Sequence, residues 1–166
     1  MEEINDVAII DDLAGRYLTF YIEDVVYSLP LSHVIEIISI QHITHIPGVP
    51  IYVKGIVNLR GKVVPISDVR LKFGQEERAY DEETCIVIVV INDMNIGLIV
   101  DKVAEVVTLE RIDRSPAAMA MGNATPRYGE SYMDSISTLS GRVVMNIDIA
   151  KFFQADLIDL FVQQDV

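Results

Sequence analysis

The sequence predicts a mainly β protein made of two small, related barrels, each with about five short strands and one short helix. Three observations lead there. Apolar residues make up 51% of the 166-residue chain and are weighted toward Val and Ile, whose branched side chains suit a pleated, half-buried surface. Short apolar runs alternate with turn residues along most of the length. A stretch of about 20 residues recurs later in the chain with its key positions unchanged.

Residues 1–15 are acidic and weakly patterned and read as a flexible N-terminal arm. Runs at 17–22 and 25–29 are strands joined by the short turn Glu23-Asp24, and residues 34–40 are a third strand, closed by Pro47-Gly48-Val49-Pro50. Runs at 54–59 and 62–67 flank Arg60-Gly61, the two-residue spacing of a tight hairpin in which glycine supplies a positive φ. Pro65 removes a ladder donor and predicts an edge strand or a bulge. Asp68 caps a short helix at 69–73 that Gly74 ends. The polar stretch 75–83 divides the chain into halves. Further strands are expected at 84–92, 96–101 and 103–109, then a long irregular connection at 115–129 and a second hairpin at 135–139 and 142–147. Beyond it, Ile149, Phe152, Phe153, Leu157, Leu160 and Phe161 fall on one face of a C-terminal amphipathic helix. The first barrel is thus expected at about 16–75, the second at about 84–148 and the helix at about 149–163.

The repeat carries most of the argument. Sliding the chain by 80 positions lays Ile56, Leu59, Gly61, Val63, Val64, Asp68 and Phe73 on Ile136, Leu139, Gly141, Val143, Val144, Asp148 and Phe153. A slide of 69 pairs Leu29, Val34 and Glu36 with Leu98, Val103 and Glu105. The change of slide places about 11 extra residues in the second half's long connection. Each half alone is marginal in size, so the two should pack together, and their seam is expected to leave a concave apolar groove suited to a partner's helix.

Composition excludes several functions. A formal charge of −12 with 13 scattered basic residues argues against nucleic acid and against an anionic lipid surface. The longest apolar run, 85–91, is far short of the roughly 20 residues that span a bilayer, so no direct membrane insertion is expected. The first residues carry neither a basic region nor an apolar signal core, which points to a cytoplasmic protein. Cys85, the single cysteine, permits no internal disulfide and reads as a small strand hydrophobe.

Catalytic chemistry is sparse. His42 and His45 stand three apart in a β-rich region with no Cys or carboxylate cluster beside them in sequence, and read as solvated loop residues rather than metal ligands. There is no Gly-rich phosphate loop, no Gly-x-Ser-x-Gly elbow and no Cys–His signature. The expectation is no catalytic residue, no cofactor and no metal. Arg60 stands at a turn that needs no guanidinium to fold, where the second copy has Ser140, which makes it a candidate partner contact; a solvated turn residue is the alternative. Glu36 and Glu105 match through the repeat and read as structural or edge-facing.

The run from Pro47-Gly48-Val49-Pro50 through Gly55-Ile56-Val57-Asn58-Leu59-Arg60-Gly61 to Val64-Pro65-Ile66 closely resembles the most distinctive stretch of the CheW family of chemotaxis coupling proteins. Ile96-Gly97-Leu98-Ile99-Val100-Asp101-Lys102-Val103 resembles that family's second-half strand pair, and the likeness extends from about Tyr17 to Phe153. The resemblance implies two SH3-like five-stranded β-barrels side by side. It also implies a non-enzymatic cytoplasmic adaptor, recruited to membrane receptor arrays, that binds the regulatory domain of the histidine kinase CheA and the cytoplasmic tips of methyl-accepting chemoreceptors. Carried over by position, Val34, Glu36, Gly55, Arg60 and Gly61 fall in stretches tied to these contacts, and Leu31 joins them at the expected groove. Ser67 departs from the family's usual aliphatic residue, and Pro30 from an acidic or polar one. A coupling protein of another motility pathway and a small-ligand-binding domain are the alternatives.

Overall fold

Strands form where the apolar runs predict them and pair in an order that the runs do not reveal. The computed structural model describes residues 15–109, 112–113 and 132–153. Strands β1 (Arg16–Ile22) and β2 (Val25–Pro30) lead through a 3-10 turn at Leu31–His33 to β3 (Val34–Ser39). The hairpin of β4 (Val53–Leu59) and β5 (Lys62–Asp68) runs into a one-turn helix, α1 (Val69–Lys72). The second half repeats the plan: β6 (Cys85–Ile91), β7 (Met94–Val100), β8 (Lys102–Thr108), the two-residue β9 (Ile112–Asp113), β10 (Met133–Leu139), β11 (Arg142–Ile147) and α2 (Ile149–Phe152). Asp68 and Asp148 cap the two helices, accepting from the backbone N–H of Leu71 and Lys151. The expected long connection at 115–129, the C-terminal helix beyond Phe153 and all but Gly15 of the N-terminal arm lie outside the described residues.

The fold is mainly β, in two sheets ordered β8-β1-β2-β11-β10-β9 and β3-β6-β7-β5-β4. This corrects the expected allocation of one barrel to 16–75 and the other to 84–148. Hairpin β1–β2 of the first half lies in the sheet of β8, β10 and β11, and hairpin β6–β7 of the second half lies in the sheet of β3, β4 and β5. Four pairings make the exchange, β2 with β11 and β5 with β7 in parallel and β1 with β8 and β3 with β6 antiparallel. The exchange covers edges that each half alone would leave open. Residue pattern marks which segments are strands but not which neighbour each one takes.

The repeat is exact at the level of register. Ser28 pairs with Asn146, and Gly97, its match at a slide of 69, pairs with Ile66, the match of Asn146 at a slide of 80. Phe20 opposite Val103 corresponds to Val89 opposite Val34, and a bulge follows at the same place in both sheets. The Thr44–Ile56 bridge corresponds to Asp113 opposite Ile136. That bridge joins the segment after β3 to β4, and so brings together the two ends of the five-stranded sheet. The slide is still 69 at Thr44 and is 80 by Val53, which confines the extra residues to the stretch between Asp113 and Met133.

Pro65 does not mark an edge, because β5 lies between β7 and β4. Its partner Ile56 spends its backbone N and O on Thr44, on the side away from β5. The pair is therefore a non-hydrogen-bonded one, and pairing with β7 begins only at Ile66, so the missing N–H interrupts neither ladder.

The centre of the seam is packed, and a cleft lined from both sheets, by Tyr17, Pro30 and Asn146 on one side and Val90 and Ile91 on the other, opens at its edge. Alternate residues of the exchanged hairpins, among them Phe20, Tyr27, Leu29, Val87, Val89 and Leu98, meet Phe73, Phe152 and Phe153 in one central cluster. The Phe73 ring lies 5.0 Å from that of Tyr27 at a tilt of 34° and meets Phe152 edge-on at 5.8 Å. Burial pushes the Tyr27 hydroxyl up to about 12. The opposite faces of the same strands fill two separate interiors, which explains why 85–91 reads as an unbroken apolar run.

Candidate partner-binding site

The β4–β5 hairpin turns on Arg60 and Gly61, at φ 51° and 85°, with the Gly61 N–H donating to Asn58 Oδ1 at 2.9 Å. Two successive left-handed residues make the mirror-image turn whose twist suits a hairpin, so glycine at 61 serves the backbone. Arg60 is free to point outward. Its side chain is 70% exposed and forms an ion pair with Glu36 of β3, which lies at the other end of the sheet. The structure thus brings Glu36, Arg60 and Gly61 together.

The other three expected residues have inward duties. Gly55 is buried in β4 at φ 141°, and a Cβ there would lie 2.0 Å from the Thr44 carbonyl oxygen. Its role is to let the Thr44 segment close on β4, so it presents nothing to a partner. Val34 and Leu31 are half-buried against the central cluster and support the start of β3.

The exposed apolar side chains of this sheet are Ile35 (48% exposed) and Ile37 (43%) on one face of β3, Val63 (64%) on β5 and Ile51 (79%) before β4, while the six-stranded sheet exposes Val106 and Val143. Ile35 and Ile37, so placed on an edge strand, signal a contact surface. The signal was in the run Val34-Ile35-Glu36-Ile37-Ile38, apolar on both faces, but only the sheet order shows that one face is left to solvent.

Two polar groupings lie elsewhere. At the seam Arg70, buried on α1, pairs with Glu23 and Asp101, and the Glu23 N–H donates to Asp101 Oδ2 at 2.7 Å. Burial alone would lower Arg70, but its bonds to Glu23 and Asp101 outweigh it and raise it; the guanidinium in turn holds Glu23 below its usual range. Burial raises Asp68, against the bond it accepts from the Tyr80 hydroxyl at 2.9 Å. Inside the six-stranded sheet, Ser28 donates to Asn146 Oδ1 at 2.6 Å, while Asn146 Nδ2 donates to Ser135 and Ser137, both at 2.8 Å. His33 Nδ1 lies 3.1 Å from the Val90 carbonyl, and His42 and His45 are exposed. Among the described residues no group of three or more His, Cys, Asp or Glu is placed to hold a metal ion. None of their helices is long and apolar enough to cross a membrane.

These features define a duplicated β scaffold whose most distinctive surface is an apolar edge strand beside an exposed ion pair. Comparison with known proteins agrees: the model of the CheW-like domain matches residues 16–157. The chain belongs to the CheW family, a family of chemotaxis adaptors. It is 31% identical to the chemotaxis protein CheW of Klebsiella aerogenes over 156 residues, covering 90% of this chain and 91% of that one. It is 33% identical to the CheW of Helicobacter pylori over 115 residues, 69% and 70% of the two chains. The crystal structure of the scaffolding protein TtCheW from Thermoanaerobacter tengcongensis superposes with a TM-score of 0.73 at 26% identity, covering 86% of this chain and 94% of that one.

Proposed function

We propose that this chain couples chemoreceptors to the histidine kinase CheA in the cytoplasm by binding the receptors' cytoplasmic tips and the kinase's regulatory domain at once, with no bond made or broken. The observation that carries the reading is the surface of β3 and the β4–β5 turn, where Ile35 and Ile37 stand exposed beside the Glu36–Arg60 pair. In the order of the five-stranded sheet β3 has a neighbour on one side only, which leaves backbone groups for a sister domain to pair with. Apolar side chains give such a contact its affinity, and a rim ion pair sets its register more than its strength.

An adaptor transmits state only if its contacts differ between receptor states. A well-packed central cluster suits that task, because movement imposed on one sheet passes to the other as a rigid displacement rather than being absorbed. To test the reading, the full chain is mixed with the kinase and a receptor cytoplasmic fragment. Co-sedimentation of all three, with kinase output dependent on the adaptor, supports it. Binding to neither, or binding without effect on the kinase, refutes it.

A further inference from the structure

The repeat gives the molecule two equivalent clefts beside the seam, and they differ in charge. The first, of about 520 Å³, is lined in part by Tyr21, Glu23, Asp24, Asp101 and Lys102. It supplies its own cations. Lys102 pairs with Glu83, Arg78 with Asp81 and Asp101, and the buried Arg70 with Glu23 and Asp101. Under the slide of 69 the five lining residues become Val90, Asn92, Asp93, Ser32 and His33, and all five line the second cleft, of about 1060 Å³. No Lys or Arg among the described residues lines it. Ala150 and Asp134 stand where the first end has Arg70 and Lys54, so both cations are lost, while Asp93 and Asp148 keep the carboxylates of Asp24 and Asp68. Ile91, Ile147, Ile149 and Phe153 give the second cleft a buried apolar floor. His33 Nδ1 donates to the Val90 carbonyl, which can only accept, and this leaves Nε2 of the neutral ring as an acceptor.

We propose that this second cleft binds a basic amphipathic segment of a partner protein, with aliphatic side chains on the floor and an Arg or Lys side chain at the rim. Charge complementarity selects that occupant. Asp93 and Asp148 have no ion pair among the described residues, and Asp134 adds a third carboxylate to the lining. In the first end the Arg70 guanidinium sits between Glu23 and Asp101, the matches of Asn92 and Ser32, so the same frame accommodates a guanidinium. A second copy, at a formal −12, is repelled from a rim of three aspartates, and so is an anionic surface. The apolar floor supplies affinity, and the carboxylates steer the approach and make binding sensitive to salt. No lining residue belongs to β3 or to the β4–β5 turn, so this contact is separate from the one that carries the coupling reading.

The test titrates the full chain with an amphipathic peptide of Leu and Arg at helical spacing, and with its Leu–Glu counterpart, while amide shifts are followed by NMR. The Leu–Arg peptide should shift the amides of Asn92, Asp93 and Ala150 and bind more weakly as salt rises; the Leu–Glu peptide should not bind. Ala150→Arg, which copies Arg70 at an exposed helix position, should weaken binding about tenfold or more by placing a like charge in the cleft. Asp93→Asn should weaken it about threefold. Asp24→Asn, the matching change in the first cleft, and Arg60→Ala at the β4–β5 turn should each bind the peptide as the parent does. Melting curves that match the parent show each variant to be folded. Equal affinity of the parent and both cleft variants would overturn the proposal, as would equal binding of the two peptides. Self-association of the parent that Ala150→Arg abolishes would also overturn it, since a second copy would then be the occupant.

Discussion

Inside the five-stranded sheet, Val57, Ile66, Ile86, Ile88 and Ile99 pack as an apolar interior. At the matching positions of the six-stranded sheet stand Ser137, Asn146, Tyr17, Thr19 and Pro30. Registers, bulges and helix caps are nonetheless the same in both. The backbone plan therefore depends on turn chemistry and the alternation of faces, and it tolerates either filling provided each is complete. Apolar filling needs volume without clash, which Gly97 provides: a Cβ there would lie 2.4 Å from Ile66 Cδ1. Polar filling needs every donor met. Asn146 serves three serines at once, and the Thr19 hydroxyl takes the Glu105 N–H and donates to the Glu105 carbonyl at the bulge.

Grafting residues from one sheet onto the other breaks this comparison in a graded way. Gly55→Ser, which copies Ser135, should have the largest effect, above about 3 kcal/mol in denaturant unfolding, because the clash is with backbone and the φ is unfavourable. Asn146→Ile, which copies Ile66, strands the serine hydroxyls and should cost about 2–3 kcal/mol. Adding Ser28→Gly should return part of that loss, and simple additivity of the two changes would contradict the network. Arg70→Ala, which copies Ala150, should cost about 2 kcal/mol, limited by the solvent exposure of Glu23.

Acid should act through the same seam. The folded pKa of Glu23 lies below its ordinary 4.5, so its contribution is complete above that value and fades as pH falls through the depressed one. Asp68 works in the opposite sense: burial raises it from 3.8, so its contribution is complete below that value and is lost as pH rises through the folded one. Glu23→Gln should lower the melting temperature near neutrality and remove part of the acid-side loss. An unchanged acid slope would place the titration elsewhere.

Much of the fold was legible because it is locally encoded. Arg60-Gly61 between two apolar runs specifies a hairpin, and Asp68 before Val69 specifies a capped turn, whatever surrounds them. Strand pairing was not legible, since β6 is apolar on both faces and either half's β3-type strand offers an edge to β1 or to β6. The site divided the same way. Arg60 stood out because its turn needs no guanidinium and its copy is Ser140. Gly55 looked like a contact residue and is a closure residue, because only the fold brings the Thr44 carbonyl to it. Ile35 and Ile37 stayed hidden, since exposure depends on which strand lies alongside.

The smallest expected change in stability and the largest in function meet at the two equivalent turns. Arg60→Ala and Ser140→Ala should each shift unfolding by less than about 0.5 kcal/mol, as exposed turn substitutions do. Titration of both variants with the kinase regulatory domain and with a receptor fragment tests the account most directly. The account predicts that Arg60→Ala weakens at least one partner about tenfold or more while Ser140→Ala leaves both unchanged. Equal affinities for the two variants and the parent would contradict it.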